Sequence, residues 1–309
     1  MVEALREGRN NVEVIGTVKK VEIQEKDSKT GRPMIIGSVT LEVKEKNKVS
    51  NIRCKLFSFK LKNDGKENGL YKGYKTVMDT YKEGDRVQVA GALTINEYYN
   101  QSGSLVSFNE VKAVFFNRLE GEEANKADKA VATVDLVIEG MTSKIDAENI
   151  PTGELEVDAF AVGYNSSIIP IQKLIIAPEL AETFQNMYVP GSTGRITMRV
   201  NNYAELEEVE VKQDQQAGFG SAERVESDVV TNYVNNLEII GGDLPYMDGV
   251  NEYSPNDIEQ AHKNRQLTLQ QLKEGATPPS TPPTGFGNAA TTNTATPQAT
   301  TADEDIPPF

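Results

Sequence analysis

Between Asn51 and Lys60 the side chains alternate in character. Ile52, Cys54 and Leu56 are apolar, whereas Arg53, Lys55, Phe57 and Phe59 are two cations followed by two aromatic rings. In an extended strand successive residues point to opposite sides, so the second set shares one face. Cations on such a face can follow a phosphate backbone, and flat rings can stack on bases of any identity. That is the chemistry that holds single-stranded nucleic acid. Each stacked base contributes about 1–3 kcal/mol. The following segment adds Lys60, Lys62, Lys66, Tyr71 and Lys72, and the stretch Glu97–Gly103 adds Tyr98 and Tyr99. As chain neighbours, at most one of those two tyrosines points at a ligand. A second reading of the same residues has Phe57 and Phe59 covered by another domain or a partner subunit. The lysines would then serve only to keep strand edges from pairing with other chains.

Covalent chemistry has little to work with. Cys54 is the only cysteine and His262 the only histidine. No intramolecular disulfide and no Cys/His zinc set can be assembled. There is no phosphate loop and no Ser-His-Asp set. The expectation is a protein without metal, cofactor or enzymatic activity, with His262 solvated on a polar helix.

The residues that position the face are short alternating segments: Val12–Val18, Ile36–Val43, Ile52–Phe59, Val87–Ile95 and Leu105–Phe116. Period-2 alternation between Gly and Asn/Asp turns predicts strands. Tyr74, Met78 and Tyr81, spaced i, i+4, i+7, predict a short packed helix that stops at Glu83-Gly84-Asp85. Five strands with one helix after the third is the layout of an OB-fold barrel. The pattern then recurs. Ile15-Gly16-Thr17-Val18 matches Ile138-Glu139-Gly140-Met141, and the helix and turn at Tyr81 and Gly84 match Leu180, Phe184, Tyr188 and Gly191. The fold expected is all-β with minor helix, as tandem OB-fold five-stranded barrels with a C-terminal helix and a disordered acidic tail.

The domains read as 1–119 for the first barrel, 120–129 for a charged linker and 130–245 for a second OB-like domain. A helical segment at 246–275 opens at Ser254-Pro255-Asn256-Asp257; its polar sequence predicts weak docking. Residues 276–302, built from Thr, Pro, Ala, Asn and Gly, cannot bury enough apolar surface to offset the entropy of ordering and read as a tether. Charge divides along the same line. The net charge is −14, yet residues 1–120 hold 21 Lys and Arg against 16 Asp and Glu, and the remainder holds 11 against 30. The second barrel carries Glu154, Glu156 and Asp158 on one strand face and no aromatic pair along Ile168–Ile176, which predicts weak DNA binding or none.

The last seven residues, Asp303, Glu304, Asp305, Ile306, Pro307, Pro308 and Phe309, form the partner-binding tip. The prolines stiffen it, Phe309 offers an apolar anchor beside its own carboxylate, and the acids steer it to a basic rim. OB-fold, tether and tip together resemble the bacterial single-stranded DNA-binding protein (SSB) family, whose tip reads Asp-Asp-Asp-Ile-Pro-Phe. The resemblance covers the architecture and the tip. It departs in having no Trp, an inserted Pro308 and two barrels, which suggests a diverged, phage-like member. It implies a cytoplasmic protein that coats single-stranded DNA in replication, recombination or repair and recruits partner proteins through the tip. The N-terminus, charged and without an apolar run, does not read as a secretory signal, and no membrane partner is expected. A homodimer presenting four barrels fits two barrels per chain, as does a monomer. The competing expectation is a protein-binding adaptor that mimics the tip without coating DNA.

Overall fold

The structure is a computed structural model, and it describes residues 4–146, 148–211, 226–247 and 249–275. The expected tether and the tip, Asp303–Phe309, lie outside the described residues. The first barrel contains β1 (Asn10–Asp27), β2 (Pro33–Glu45), β3 (Lys48–Phe59), β4 (Arg86–Tyr99) and β5 (Leu105–Arg118). β1 pairs with both β2 and β4, β2 with β3, β3 in parallel with β5, and β5 with β4. The sheet therefore closes in the order β1-β2-β3-β5-β4-β1, an OB-fold barrel. Inward residues such as Val14, Ile35, Val39, Leu41, Cys54 and Val87 are fully buried. Each large aliphatic group contributes about 1.5–3 kcal/mol by leaving water. Burial also pushes the Cys54 thiol up to about 12, so it stays protonated and unreactive.

The helix α1 (Gly69–Thr80) closes one end of this barrel. It starts five residues before the expected stripe, because the Asn68 side chain accepts from the Leu70 amide and caps it. Tyr71, Tyr74 and Val77 are its buried residues, and the Tyr74 hydroxyl donates to the Ala113 carbonyl at 2.8 Å. Met78 and Tyr81 are only half-buried at its flank.

A second set repeats the order: β6 (Lys129–Ile145), β7 (Pro151–Val162), β8 (Ile168–Ile176), α2 (Pro178–Met187), β9 (Thr193–Val211) and β10 (Glu226–Gly242). Its pairings close as β6-β7-β8-β10-β9-β6. The register corrects the repeat. A bulge between Val18 and Lys20 on β1 has its counterpart between Ile138 and Gly140 on β6. Lys19 therefore matches Glu139, and Gly16 matches Leu136 rather than Gly140. The helix ends keep the expected match, with Tyr81 and Tyr188 each closing a helix. In α2 and at its C-terminal cap, Ala181, Phe184 and Tyr188 are buried and Leu180 is exposed, since the strand-facing stripe opens at Ala181 and runs i, i+3, i+7 through the expected Phe184 and Tyr188.

The barrels share one sheet. β1 and β6 pair antiparallel from Asn10↔Val134 to Ile15↔Lys129. With the corrected match this ladder is centred on Val12 and Ala132, so the barrels are related by a local two-fold. Contacts flank the ladder on both sides. Asn202 donates to the Asn51 carbonyl at 2.9 Å, and Arg199 bonds Glu45 at 2.9 Å. On the other side, Asn109 donates to the Pro170 carbonyl at 2.9 Å and accepts from the Gln172 amide at 2.6 Å. The charged segment after β5 is also held, as Asp128 accepts from Arg86 at 2.6 Å and from the Lys44 amide at 2.7 Å.

The helix α3 (Pro255–Lys273) opens with a reciprocal capping box between Ser254 and Asp257. Contrary to the expectation of weak docking, Ile258 and Ala261 pack with Tyr253 and Leu5 over Val137, Phe160, Val162 and Ile168. His262 is not simply solvated. Its Nε2 lies 3.0 Å from Glu139 and its ring meets Phe160 edge-on at 5.5 Å. Arg265 makes a two-pronged ion pair with Glu97 of β4, and both side chains are largely buried. A polar helix can dock firmly when its few apolar residues and charges each meet a partner.

Candidate nucleic-acid interface

β3 alternates as its sequence predicts. Ile52, Cys54 and Leu56 are buried, and Arg53, Lys55, Phe57 and Phe59 are half-exposed on the outer side. The Phe57 and Phe59 rings meet edge to face, centroids 5.0 Å apart. Both residues are half-buried, so they are not sealed. β2 supplies their neighbours through register, with Met34 opposite Phe59 and Ile36 opposite Phe57. Arg32, just before β2, places its guanidinium 4.2 Å from the Phe59 ring centre and donates to the Leu61 carbonyl. Cation and ring attract by about 0.5–2 kcal/mol, which keeps this charge at the edge of the aromatic pair.

The charged half of the face is a network. Arg53 Nε donates to Ser38 Oγ at 2.9 Å. Lys55 pairs with Glu110 of β5, and the same carboxylate oxygen accepts from Asn96 of β4 at 2.9 Å. Phe108 of β5 lies 5.8 Å from the Lys55 ammonium. Lys112 is the register partner of Lys55 across the parallel β3–β5 pair. Its neighbours Val111 and Ala113 are buried inward, so Lys112 is on the outer side. Desolvation by burial pulls its ammonium below the usual lysine range. At Gly91 β4 comes so close that a Cβ there would lie 2.1 Å from the Lys112 carbonyl oxygen. Only glycine permits that approach.

The other expected ligands divide. Lys60 and Lys62 are exposed where β3 leads into α1, in a loop closed by the Lys62 amide donating to the Lys66 carbonyl at 2.8 Å. Lys72 is exposed and pairs with Glu67 at 2.8 Å. Tyr71 is a correction. It is a core residue of α1, 5% exposed, and its hydroxyl donates to Glu25. That bond is the main cause of its rise to about 12. Tyr98 is 45% exposed and follows Asn96 on the site side of β4. Tyr99 is half-buried on the opposite side, which it shares with Glu97 and hence with Arg265. Sequence reasoning missed Arg32, Met34, Ile36, Phe108 and Lys112. Phe108 and Lys112 could have been found from the phase of Leu105–Phe116, but the β2 residues needed the register.

Among the described residues there is no His/Cys/Asp/Glu group that could hold a metal ion, and no helix is long and apolar enough to cross a membrane.

Similarity searches give three results. No curated protein matches the chain. Among solved structures it is similar to a deletion mutant of the single-stranded DNA binding protein from Thermus aquaticus, at 13% identity and TM-score 0.49, covering 81% of this chain and 99% of that one. The wild-type Thermus aquaticus protein gives 13% identity and TM-score 0.47 over 78% and 95%. The Plasmodium falciparum SSB complex with ssDNA gives 14% identity and TM-score 0.27 over 38% and 99%. The family model described as YorF matches residues 9–275, from the residue before β1 to the glycine after α3. Since that span holds both barrels and the helix that straps them, the chain belongs to the YorF family.

Proposed function

We propose that the outer face of β2, β3 and β5 binds single-stranded DNA without sequence preference, by stacking and phosphate pairing and not by turnover. The observation that carries this reading is the gathering of Phe57, Phe59 and Phe108 with Arg32, Arg53 and Lys55 on one side of an OB-fold barrel. OB-folds use this strand face and the adjoining loops for oligonucleotides. The half-buried rings are held in place before any base arrives, so little side-chain entropy is lost on stacking. The tip, Asp303–Phe309, recruits replication, recombination or repair proteins, and its acids compete with phosphate for the basic face when no partner is present.

Fluorescence anisotropy with labelled oligo-dT tests both parts. The wild-type chain binds, more weakly as salt rises, and Phe57→Ala with Phe59→Ala weakens binding at every salt concentration. Removal of residues 303–309 leaves binding unchanged or tighter and abolishes pull-down of partners. Unchanged affinity in the double variant would overturn the stacking role.

A further inference from the structure

Lys112 is unlike every other cation on the face. Lys55 has Glu110, Arg53 has Ser38, and Arg32 has the Leu61 carbonyl and the Phe59 ring. Among the described residues no carboxylate oxygen comes within 4.0 Å of the Lys112 ammonium, and its side chain makes no hydrogen bond. Yet it is half-buried. Partial loss of water without a counter-ion disfavours a charge, so the Lys112 ammonium, as distinct from its methylene stem, does not stabilise the fold.

The second barrel shows that the fold does not require a cation here. Leu174↔Leu237 on β8 and β10 corresponds to Cys54↔Val111 on β3 and β5. Glu238 therefore stands where Lys112 stands. It is fully partnered, by Arg199 at 3.1 Å and Asn201 at 3.0 Å. The same position is satisfied within the protein in one barrel and left unsatisfied in the other.

We infer that Lys112 is the seat of one backbone phosphate of the bound strand, beside Lys55 and between the stacking rings and the β4 edge. The inference rests on the single-strand reading above and names a residue that reading did not include. Lys55, Lys112 and Glu110 together carry one excess positive charge, which one phosphodiester neutralises. The phosphate gains a cation that is already positioned and already partly dehydrated, so less water is displaced on contact than at an exposed lysine.

The test is a salt titration of oligo-dT binding by the full-length chain, comparing wild type with Lys112→Gln, Lys112→Met, Lys112→Arg and a control, Lys173→Gln, on β8. Lys112→Gln and Lys112→Met are expected to bind about tenfold more weakly near ~0.1 M salt. Their log–log salt slopes should be shallower by about 0.7, the value for one phosphate contact on a single strand. Lys112→Arg keeps the wild-type slope, and Lys173→Gln changes nothing. Thermal melts settle whether a loss comes from misfolding, because Lys112→Met removes an unpaired charge and should melt at or above the wild-type temperature. If wild type binds and Lys112→Met binds with the same slope, Lys112 is not a phosphate seat and the single-strand reading stands. If wild type does not bind at all, the reading itself fails and takes this inference with it.

Discussion

The two barrels have the same strand order and opposite outer faces. Matching them through their pairings puts Glu154, Glu156 and Asp158 of β7 where β2 has Ile36, Ser38 and Thr40. On the third strand a bulge of Gln172 and Lys173 takes the place of Arg53, and Ile175 that of Lys55. β8 ends at Ile176, so it has no counterpart to the stretch of β3 that carries Phe57 and Phe59. The second barrel instead spends part of its outer surface on its own chain, with α3 packed over Val137, Phe160, Val162 and Ile168. Core positions are kept alike because closing a barrel demands inward apolar residues, whatever the ligand. Outer positions carry no such demand, so they report use. By charge alone, the first face would favour a polyanion and the second would not.

The largest effect should come from removing what only the first barrel has. Phe57→Ala with Phe59→Ala deletes two stacking platforms worth about 1–3 kcal/mol each, so oligo-dT affinity should drop at least about thirtyfold. A drop of less than threefold in anisotropy titrations would mean that the rings separate the barrels in appearance only. Arg265→Ala probes the helix packed on the second barrel, at the ion pair that ties it to β4 of the first. It leaves Glu97, whose side chain is 7% exposed, with Ser107 as its remaining bonded partner. The expected cost is about 3 kcal/mol in urea unfolding, with oligo-dT affinity of the folded protein unchanged. A coupled loss of DNA binding would show that the strap serves the first face as well.

Smaller effects sharpen the comparison. Glu156→Lys with Asp158→Lys reverses the sign of β7 at two exposed positions. If charge alone keeps a strand off the second barrel, long oligo-dT should then bind a few-fold tighter with a salt slope steeper by about 1. An unchanged slope would show that rings are required before charge matters. Glu110→Gln releases Lys55 from its carboxylate. Binding should tighten about two- to threefold at low salt, and weaker binding would instead assign Glu110 a positioning role.

Much of this was legible in the sequence because it depends on local periodicity. The alternation along Asn51–Lys60 assigned each β3 side chain to its side, and Ser254-Pro255 with Asp257 marked the start of α3. What could not be read depends on distant partners. Nothing near Arg32 or Met34 in the sequence says that they sit beside Phe59; the β2–β3 register does. Tyr71 looked available because it follows a lysine-rich loop, yet Asn68 starts the helix early and turns that ring inward. The likeness of Gly16 to Gly140 lies four residues off the true match, because the bulge at Lys19 and Glu139 leaves no residue signature. The polar sequence of α3 hid a firm dock, because two small apolar contacts and one ion pair are a weak periodic signal.

The antiparallel pairing of β1 with β6 joins the barrels through backbone bonds inside one covalent chain. Two separate barrels meeting at that edge would come apart on dilution, and their partnership would depend on expression level. Here the local concentration of one for the other is fixed by the connecting residues, so the pair persists however scarce the protein is. A shared chain also ends the constraint that both halves of a symmetric pair carry the same sequence. Each half can then change by itself, which is the freedom that a basic face on one side and an acidic face on the other require.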